Sequence, residues 1–292
     1  MNVHLMQTAN PSCLVYLVPK HSKARDMCSL PFNIYAFLMT HNSFANEDEP
    51  QNGARALMLH TYEYKGDIWL CHSFGGKCHD FTAFWLAICT LKQVEAFLSV
   101  NPLEIVTLFL EDYVETPNAL SKLFQDAGLM KHWFPVSNMP RNGQDWPLVK
   151  YMVANNQRLV VFTSKESKQE SEGIAYQWNY VVENQYGDDG EHPRECNNHG
   201  ESAPLDDNEI SGSDKPLPFD SNQRTAGNRW ANFVAVNYYM LHISPVNIYR
   251  SEGGGVFQAL DKLNGQLLCG CDDVHLCKPG SSPAKCSATK GL

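Results

Sequence analysis

The sequence lacks the features that mark several large classes of protein. Its 32 acidic residues outnumber its 23 basic ones, and the net charge of −9 comes with no basic run, so a nucleic-acid partner is not expected. No apolar stretch reaches about 18 residues, the length that a membrane-spanning helix requires. A glycine-rich fingerprint after the first strand and a P-loop are both missing, which argues against dinucleotide and nucleotide binding.

Neither end of the chain carries a recognisable targeting segment. The first 24 residues hold only a short apolar patch at residues 13–18, which is too little for a signal peptide. The tail ends at Gly291-Leu292 without the hydrophobic segment that a lipid-anchor signal needs. This sequence thus shows no clear signal peptide, membrane span or lipid-anchor tail.

The ten cysteines, by contrast, favour an oxidising compartment. Four of them follow the pattern Cys-Gly-Cys-x5-Cys-x8-Cys over residues 269–286, which lacks the two-residue gap between paired ligands of a zinc ribbon. Disulfides are therefore favoured over a zinc knot. In the first half of the chain, Cys71 is expected to be bonded to Cys78 or Cys89, or simply buried.

Among the features present, two histidines that each follow an apolar run are the most informative. His41 follows the run at residues 35–40, His72 follows the run at residues 68–71, and the run between them carries Arg55 near its start. Enzymes of the α/β class place catalytic groups at the carboxyl ends of parallel strands, which open into one crevice. We therefore expect both imidazoles and the guanidinium to share a pocket.

Apolar patterning alternates strands with helices over most of the chain. Strands are predicted near residues 33–40, 55–62, 67–72, 104–112, 158–165 and 232–239, and helices near residues 80–100, 117–127, 145–155 and 256–264. A tight turn is predicted at Lys65-Gly66-Asp67. The pattern predicts an α/β protein, and the polar groups at the ends of four strands favour a (β/α) barrel over an open doubly wound sheet.

Composition suggests three regions. Residues 1–30 are irregular, residues 31–268 form the barrel domain, and residues 269–292 form a cysteine-rich tail. Within the domain, residues 187–227 are rich in Asp, Glu, Asn, Pro, Ser and Gly and predict a long polar loop.

Two histidines, an arginine and a carboxylate are suited to cleaving a phosphodiester. One imidazole takes a proton from the attacking hydroxyl, the other protonates the leaving oxygen, and a cation neutralises charge on the phosphoryl oxygens. Glu111 and Asp112, which end the strand near residues 104–112, would fix a histidine tautomer or bind a hard divalent cation.

Four motifs resemble a known family. They are THNSFA at residues 40–45, GARALML at 53–59, WLCHSFGGKC at 69–78 and IVTLFLEDY at 105–113. In this order they are similar to the X-domain of phosphatidylinositol-specific phospholipase C, and most similar to the plant PLC-like phosphodiesterases. The resemblance extends over about three quarters of the chain.

The resemblance implies a distorted TIM-type barrel. It implies that the protein cleaves a phosphoinositide or glycolipid phosphodiester at a membrane surface. The protein would be extracellular or membrane-associated, and monomeric. It implies the following roles: His41 as general base, His72 as general acid, Arg55 on the strand with a phosphate-facing group, Lys165 at the head group, and Asn42 and Glu111 at calcium-binding positions. Trp178 and Tyr180 are candidates for packing on a sugar or lipid chain, although core positions are favoured.

Departures from the family pattern predict an incomplete barrel. His60 stands where relatives usually have an aspartate, which removes charge and an oxygen ligand from a calcium site. The connection at residues 42–52 has no room for the usual crossover helix. A strand expected after Pro204 is missing, and Asn237 replaces an expected acid.

Two alternatives to a phospholipase C-type enzyme stay open. The first is a catalytically silent relative that serves as a secreted or membrane-associated binding protein, which the departure at His60 favours. The second is an unrelated hydrolase that pairs a histidine with Glu111 or Asp112. The second has less support, because Ser43 and Ser73 lack the Gly-x-Ser-x-Gly pattern of a nucleophile elbow.

Overall fold

The computed structural model describes residues 30–42, 54–73, 75–141, 144–183, 198–203, 231–236 and 256–277. These residues divide between two compact units. Unit 1 takes Thr40–Asn138 and Met152–Tyr176, and unit 2 takes the other described residues. The strands are β1 (Phe37–Thr40), β2 (Ala56–Tyr64), β3 (Asp67–Cys71), β4 (Ala83–Leu86), β5 (Val106–Tyr113), β6 (Leu159–Thr163), β7 (Ala175–Tyr176) and β8 (Phe233–Val236).

The α-helices are α1 (Ala87–Val100), α2 (Ala119–Asp126), α3 (Val149–Ala154), α4 (Ser167–Glu172) and α5 (Val256–Cys269). Short 3-10 turns lie at Phe32–Ile34, Leu129–His132, Val136–Asn138, Gln177–Asn179 and Val274–Leu276. In the part of the chain that the structure describes, no helix combines the length and the apolar character needed to cross a bilayer.

The sheet of unit 1 follows the order β4-β3-β2-β5-β6-β7. Pairing is parallel from β2 through β5 and β6 to β7. The central strand β5 is buried along most of its length, as expected for a strand with parallel neighbours on both sides. This confirms the predicted α/β class, and over the described residues the sheet is open between β4 and β7, as in an incomplete barrel.

The strand before His72 runs against β2 rather than parallel to it. Tyr64 pairs with Asp67 across a two-residue turn in which Lys65 and Gly66 both have positive φ, at 50° and 79°, the conformation of a type I′ hairpin. The predicted turn is therefore correct. The premise that His72 ends a strand parallel to its neighbours was wrong, because this hairpin reverses the chain and brings the end of β3 beside the middle of β2.

The helix predicted from residue 80 begins later than its pattern indicated. Residues 83–86 form β4, which pairs antiparallel with β3, and α1 starts at Ala87. Phe84 and Trp85 are aromatic residues that favour strands, and their spacing also fits the helical period of the residues that follow. The strand β7 and the helix α4 were not predicted.

Unit 2 is held together by aromatic packing and one buried amide. The ring of Phe37 lies 5.0 Å from that of Phe32 and 5.8 Å from that of Phe233, where β1 pairs with β8. The side chain of Asn264 in α5 accepts a hydrogen bond from the Ala36 amide and donates one to the Ala36 carbonyl, both at 2.9 Å. A disulfide joins Cys269 to Cys277. The expectations for residues 1–29, for most of the loop at 187–227 and for Asn237 lie outside the described residues.

Candidate active site

Three histidine rings lie in a row in unit 1. The ring of His60, in the middle of β2, has its centroid 5.3 Å from that of His41 and 6.0 Å from that of His72. His41 directly follows β1, and His72 directly follows β3. The structure thus brings the two histidines predicted as catalytic next to the same third imidazole, that of His60.

His60 is fixed by the pairing of two parallel strands. It lies opposite Glu111 in the register of β2 with β5, and its Nε2 is 3.0 Å from Oε2 of Glu111. His60 is only 6% exposed, whereas the Glu111 side chain is 38% exposed, so a buried imidazole meets a half-buried carboxylate. A carboxylate in this position fixes the orientation of the ring.

Glu111 is held on its second oxygen as well. The Tyr113 hydroxyl donates a hydrogen bond to Oε1, so each oxygen of the carboxylate has a partner. Burial opposes ionisation of Glu111, yet the hydrogen bonds from His60 and Tyr113 together with nearby histidine charge lower its pKa. Burial and the adjacent carboxylate raise the pKa of Tyr113. At neutral pH the carboxylate is therefore ionised and the phenol keeps its proton.

Two stacked tyrosines link this carboxylate to the segment after β3. The rings of Tyr62 and Tyr113 stack with centroids 4.4 Å apart. The Tyr62 hydroxyl donates to the carbonyl of Ser73 at 3.1 Å, one residue beyond His72. Burial, and next the charge of Glu111, raise the pKa of Tyr62, so it remains a proton donor in this contact.

The backbone around His72 is tied down by a disulfide and a hydrogen bond. Cys71 is bonded to Cys78, one of the pairings expected from the sequence. The His72 amide donates to the Thr82 carbonyl at 3.0 Å. His72 itself is exposed, as a group that meets a substrate must be.

His41 is contacted by its neighbour Asn42. Nδ2 of Asn42 lies 3.3 Å from Nδ1 of His41, and Asn42 adopts a left-handed backbone conformation with φ of 51°. Oδ1 of Asn42 is buried and has no hydrogen-bond partner among the residues that the structure describes. The contact engages Nδ1 of the imidazole and directs Nε2 away from Asn42.

Arg55 does not lie with the histidines. It precedes β2, at the amino end of the strand, where its Nε donates to Glu104 at 2.6 Å and its guanidinium lies over the ring of Phe97. His60 is five positions further along, about 16 Å at 3.3 Å per residue. The prediction that Arg55 shares the histidine pocket is not supported by this placement, because the residue is at the opposite end of the strand.

Lys165 lies beyond the end of β6, near the carboxyl end of β5. Its Nζ donates to the Val114 carbonyl at 3.3 Å and to the carboxylate of Glu115.

Asp112, the residue after Glu111 in β5, is buried and makes a different set of contacts. It accepts hydrogen bonds from the Val114 amide at 2.8 Å and from the Thr163 hydroxyl at 3.0 Å. Of the two carboxylates, only Glu111 therefore serves the histidine cluster.

Trp178 and Tyr180 belong to unit 2. Both are buried, and the Trp178 ring stacks on that of His199 with centroids 5.5 Å apart. This burial agrees with the core positions favoured on sequence grounds.

Comparison with known proteins identifies the family. The family model PI-PLC X 1 matches residues 35–206, which is more than half of the chain and includes every residue of the cluster. The chain belongs to the PI-PLC X family. The PI-PLC X domain-containing protein At5g67130 of Arabidopsis thaliana is 46% identical over 298 residues, which cover 88% of this chain and 68% of that protein.

The likeness to a solved structure is much weaker. Phosphatidylinositol-specific phospholipase C from Listeria monocytogenes matches with 11% identity and a TM-score of 0.37 over 50% of this chain. The chain spans about 56% of the length of that enzyme. A likeness this low assigns no role to any residue.

The PI-PLC X cluster in this chain does not suit a calcium ion. Calcium takes six to eight oxygen ligands at roughly 2.3–2.6 Å, whereas the cluster presents three imidazoles. Its oxygens come from Asn42 and Glu111, and both Glu111 oxygens already contact His60 or Tyr113. The donor set is therefore rich in nitrogen where a hard cation needs oxygen.

Sequence reasoning missed the position of His60 within the site. It identified His60 only as the loss of an expected aspartate, whereas the structure shows its ring adjacent to both predicted catalytic rings. No local signal in the sequence identifies this contact, because it depends on the register in which β2 pairs with β5.

Proposed function

We propose that this chain is a phosphoric diester hydrolase or lyase of the phosphatidylinositol-specific phospholipase C type. The observation that carries the proposal is the row of His41, His60 and His72, in which each predicted catalytic imidazole adjoins the same buried ring. The substrate would be a phosphoinositide or glycolipid whose sugar hydroxyl neighbours the phosphodiester.

His41 and His72 divide the proton transfers between them. His41 takes the proton of the sugar hydroxyl through Nε2, since Nδ1 faces Asn42. The hydroxyl oxygen forms a bond to phosphorus, the bond from phosphorus to the lipid alcohol breaks, and His72 donates a proton to the departing oxygen. The products are a cyclic sugar phosphate and a lipid alcohol.

The surroundings of the cluster support the rest of the assignment. Lys165 lies near the carboxyl end of β5 and would contact the head group. Phe81 is 85% exposed and adjoins Thr82, whose carbonyl accepts a hydrogen bond from the His72 amide, so at a membrane surface its ring would be buried among the lipids and contribute to binding. The disulfides Cys71–Cys78 and Cys269–Cys277 support an oxidising compartment.

The test compares histidine variants on phosphatidylinositol. His41→Ala and His72→Ala should each lower the release of cyclic inositol phosphate by about 10²–10⁴-fold, the usual contribution of one acid or base. His275→Ala changes an exposed histidine of unit 2 that contacts Asp273, and it should leave the rate unchanged. Circular dichroism should show all three variants folded.

The second candidate function is that of a silent scaffold. This function is favoured because the ring of His60 lies against the carboxylate of Glu111 in the site. A folded wild-type chain that binds phosphatidylinositol vesicles yet releases no cyclic product, with or without added divalent cations, would establish this candidate and reject the enzyme.

A further inference from the structure

We propose that His60 takes the place of a bound calcium ion in this site, so that the histidine cluster works without a divalent cation. The proposal deepens the proposed function and rests on it for the role of the site in turnover. The claim about calcium binding can be measured on the folded protein whether or not it turns over substrate.

The first argument is that the carboxylate is occupied. Because β2 and β5 pair in register, the His60 side chain is brought to Glu111, and the two meet at 3.0 Å. Tyr113 holds the other oxygen. A cation that bound Glu111 would compete with these two groups for the carboxylate oxygens, and the His60 side chain, only 8% exposed, has little water nearby to replace a lost contact.

The second argument is that too few oxygens remain. Among the residues that the structure describes, Asn42 brings a second side chain with an oxygen next to the cluster, and this Oδ1 is buried. One amide oxygen and one occupied carboxylate supply far fewer than the six or more oxygens that calcium takes. The imidazoles of His41, His60 and His72 do not make up the difference, because nitrogen ligands suit borderline transition metals rather than calcium.

The third argument concerns charge. An aspartate at position 60 would face Glu111 as a second anion, and two carboxylates side by side repel each other unless a cation lies between them. Histidine removes one of these negative charges and places Nε2 of its ring 3.0 Å from the remaining carboxylate. An aspartate at position 60 would therefore require a cation beside Glu111. The histidine found there stabilises the Glu111 carboxylate without a cation.

A single substitution should reverse this arrangement. His60→Asp places a carboxylate beside Glu111 and Asn42, and isothermal titration calorimetry of the full chain with CaCl2 should then detect one bound ion. The expected dissociation constant is about 10⁻⁴–10⁻³ M, the range of weak calcium sites. The wild type should show no binding in that range, and its release of cyclic inositol phosphate should be insensitive to EGTA.

Two control variants isolate the cause. His60→Asn removes the imidazole without adding charge and should not gain calcium binding. Adding Glu111→Gln to His60→Asp should abolish the binding gained. Thermal melts should confirm that each variant is folded before its titration is compared with that of the wild type.

Three results would overturn the proposal. The first is one calcium ion bound to the wild type at millimolar concentration or below and lost in Glu111→Gln, a result that stands even if His60→Asp does not fold. The second is a folded His60→Asp variant without calcium binding. The third is stoichiometric zinc binding by the wild type that disappears in His60→Asn, because His60 would then be a metal ligand. Loss of turnover with unchanged titrations would instead reject the proposed function alone.

Discussion

At the scale of single residues, specific partners decide whether a buried carboxylate of unit 1 is stabilised as an anion. Glu172 in α4 is the clearest case outside the active site. Its side chain is 1% exposed, and its Oε1 lies 2.6 Å from Nζ of Lys168. Its Oε2 accepts a hydrogen bond from the Ser121 amide at 2.7 Å. Burial opposes ionisation of Glu172, but these contacts outweigh it and lower its pKa.

We expect Glu172→Gln to destabilise the protein by about 3 kcal/mol at pH 7, because it leaves the buried Lys168 charge without its anion. A lowered pKa in the folded state stabilises the protein at pH values above the usual glutamate pKa of about 4.3, and this stabilisation is lost as the pH falls through the folded value. Urea unfolding of wild type and variant between about pH 7 and pH 3 should show their difference shrinking toward the acidic end.

An exposed ion pair with the same spacing serves as the control. Lys122 and Asp126 form an i,i+4 pair in α2 with side chains 71% and 53% exposed, so Asp126→Asn should cost less than about 0.5 kcal/mol. Equal losses in the two variants would contradict the argument from burial.

At the scale of elements, the strands with strong local signals were predictable. The bounds of β2, β5 and β6 and of helix α2 lie within a few residues of those that the apolar runs indicate, because periodicity and turn residues act locally. The Lys65-Gly66 turn makes β3 antiparallel to β2. The prediction for His72 nevertheless treated β3 as one of the parallel strands. The short strand β4 was missed because its four residues also fit a helical pattern.

The loop that connects β3 to β4 gives a prediction about membranes. Phe81→Ser should weaken binding to phosphatidylinositol vesicles by about 10–100-fold, since inserting one phenylalanine contributes roughly 1.5–3 kcal/mol. Hydrolysis of a soluble short-chain substrate should be unchanged, because Phe81 is not part of the histidine cluster. Vesicle sedimentation and a soluble assay measure the two effects separately.

Met130→Ser is the matched control for this loop. Met130 is also an exposed apolar residue of unit 1, at 47%, but it lies in the 3-10 turn Leu129–His132. A loss of vesicle binding as large as that of Phe81→Ser would show that the effect is a general loss of apolar surface.

At the scale of the whole molecule, each compact unit contains a disulfide between two described cysteines that closes a short loop. Cys71–Cys78 lies in unit 1 and Cys269–Cys277 lies in unit 2, with sequence separations of 7 and 8. Replacing either pair by serines should cost about 2–3 kcal/mol, the value expected for loops of this length.

These two disulfides should differ in their effect on activity. Removing Cys71–Cys78 frees the segment that holds His72 and should lower turnover, whereas removing Cys269–Cys277 should lower stability alone. Thermal melts and the cyclic inositol phosphate assay, applied to both double variants, measure the two effects. Equal turnover in the two variants would contradict a role of the first disulfide in positioning His72.

The candidate site was predictable only where its residues belong to local motifs. His41, His72 and Glu111 were identified because each ends or nearly ends an apolar run. Arg55 was misplaced because a residue at the start of a strand lies at the opposite edge from residues at its end. The contact of His60 with Glu111 depends on how two strands 51 positions apart align, which no local pattern specifies.

The in-register pairing of β2 with β5 makes this site a reporter of correct folding. Sliding one strand past the other by a single position would set Leu59 or Thr61 opposite Glu111 and rotate the imidazole out of the cluster. Such a mispaired chain would keep nearly all of its secondary structure and lose the chemistry. Specific activity after refolding therefore measures the fraction of molecules whose strands are correctly aligned. Far-ultraviolet circular dichroism does not distinguish these molecules from mispaired ones.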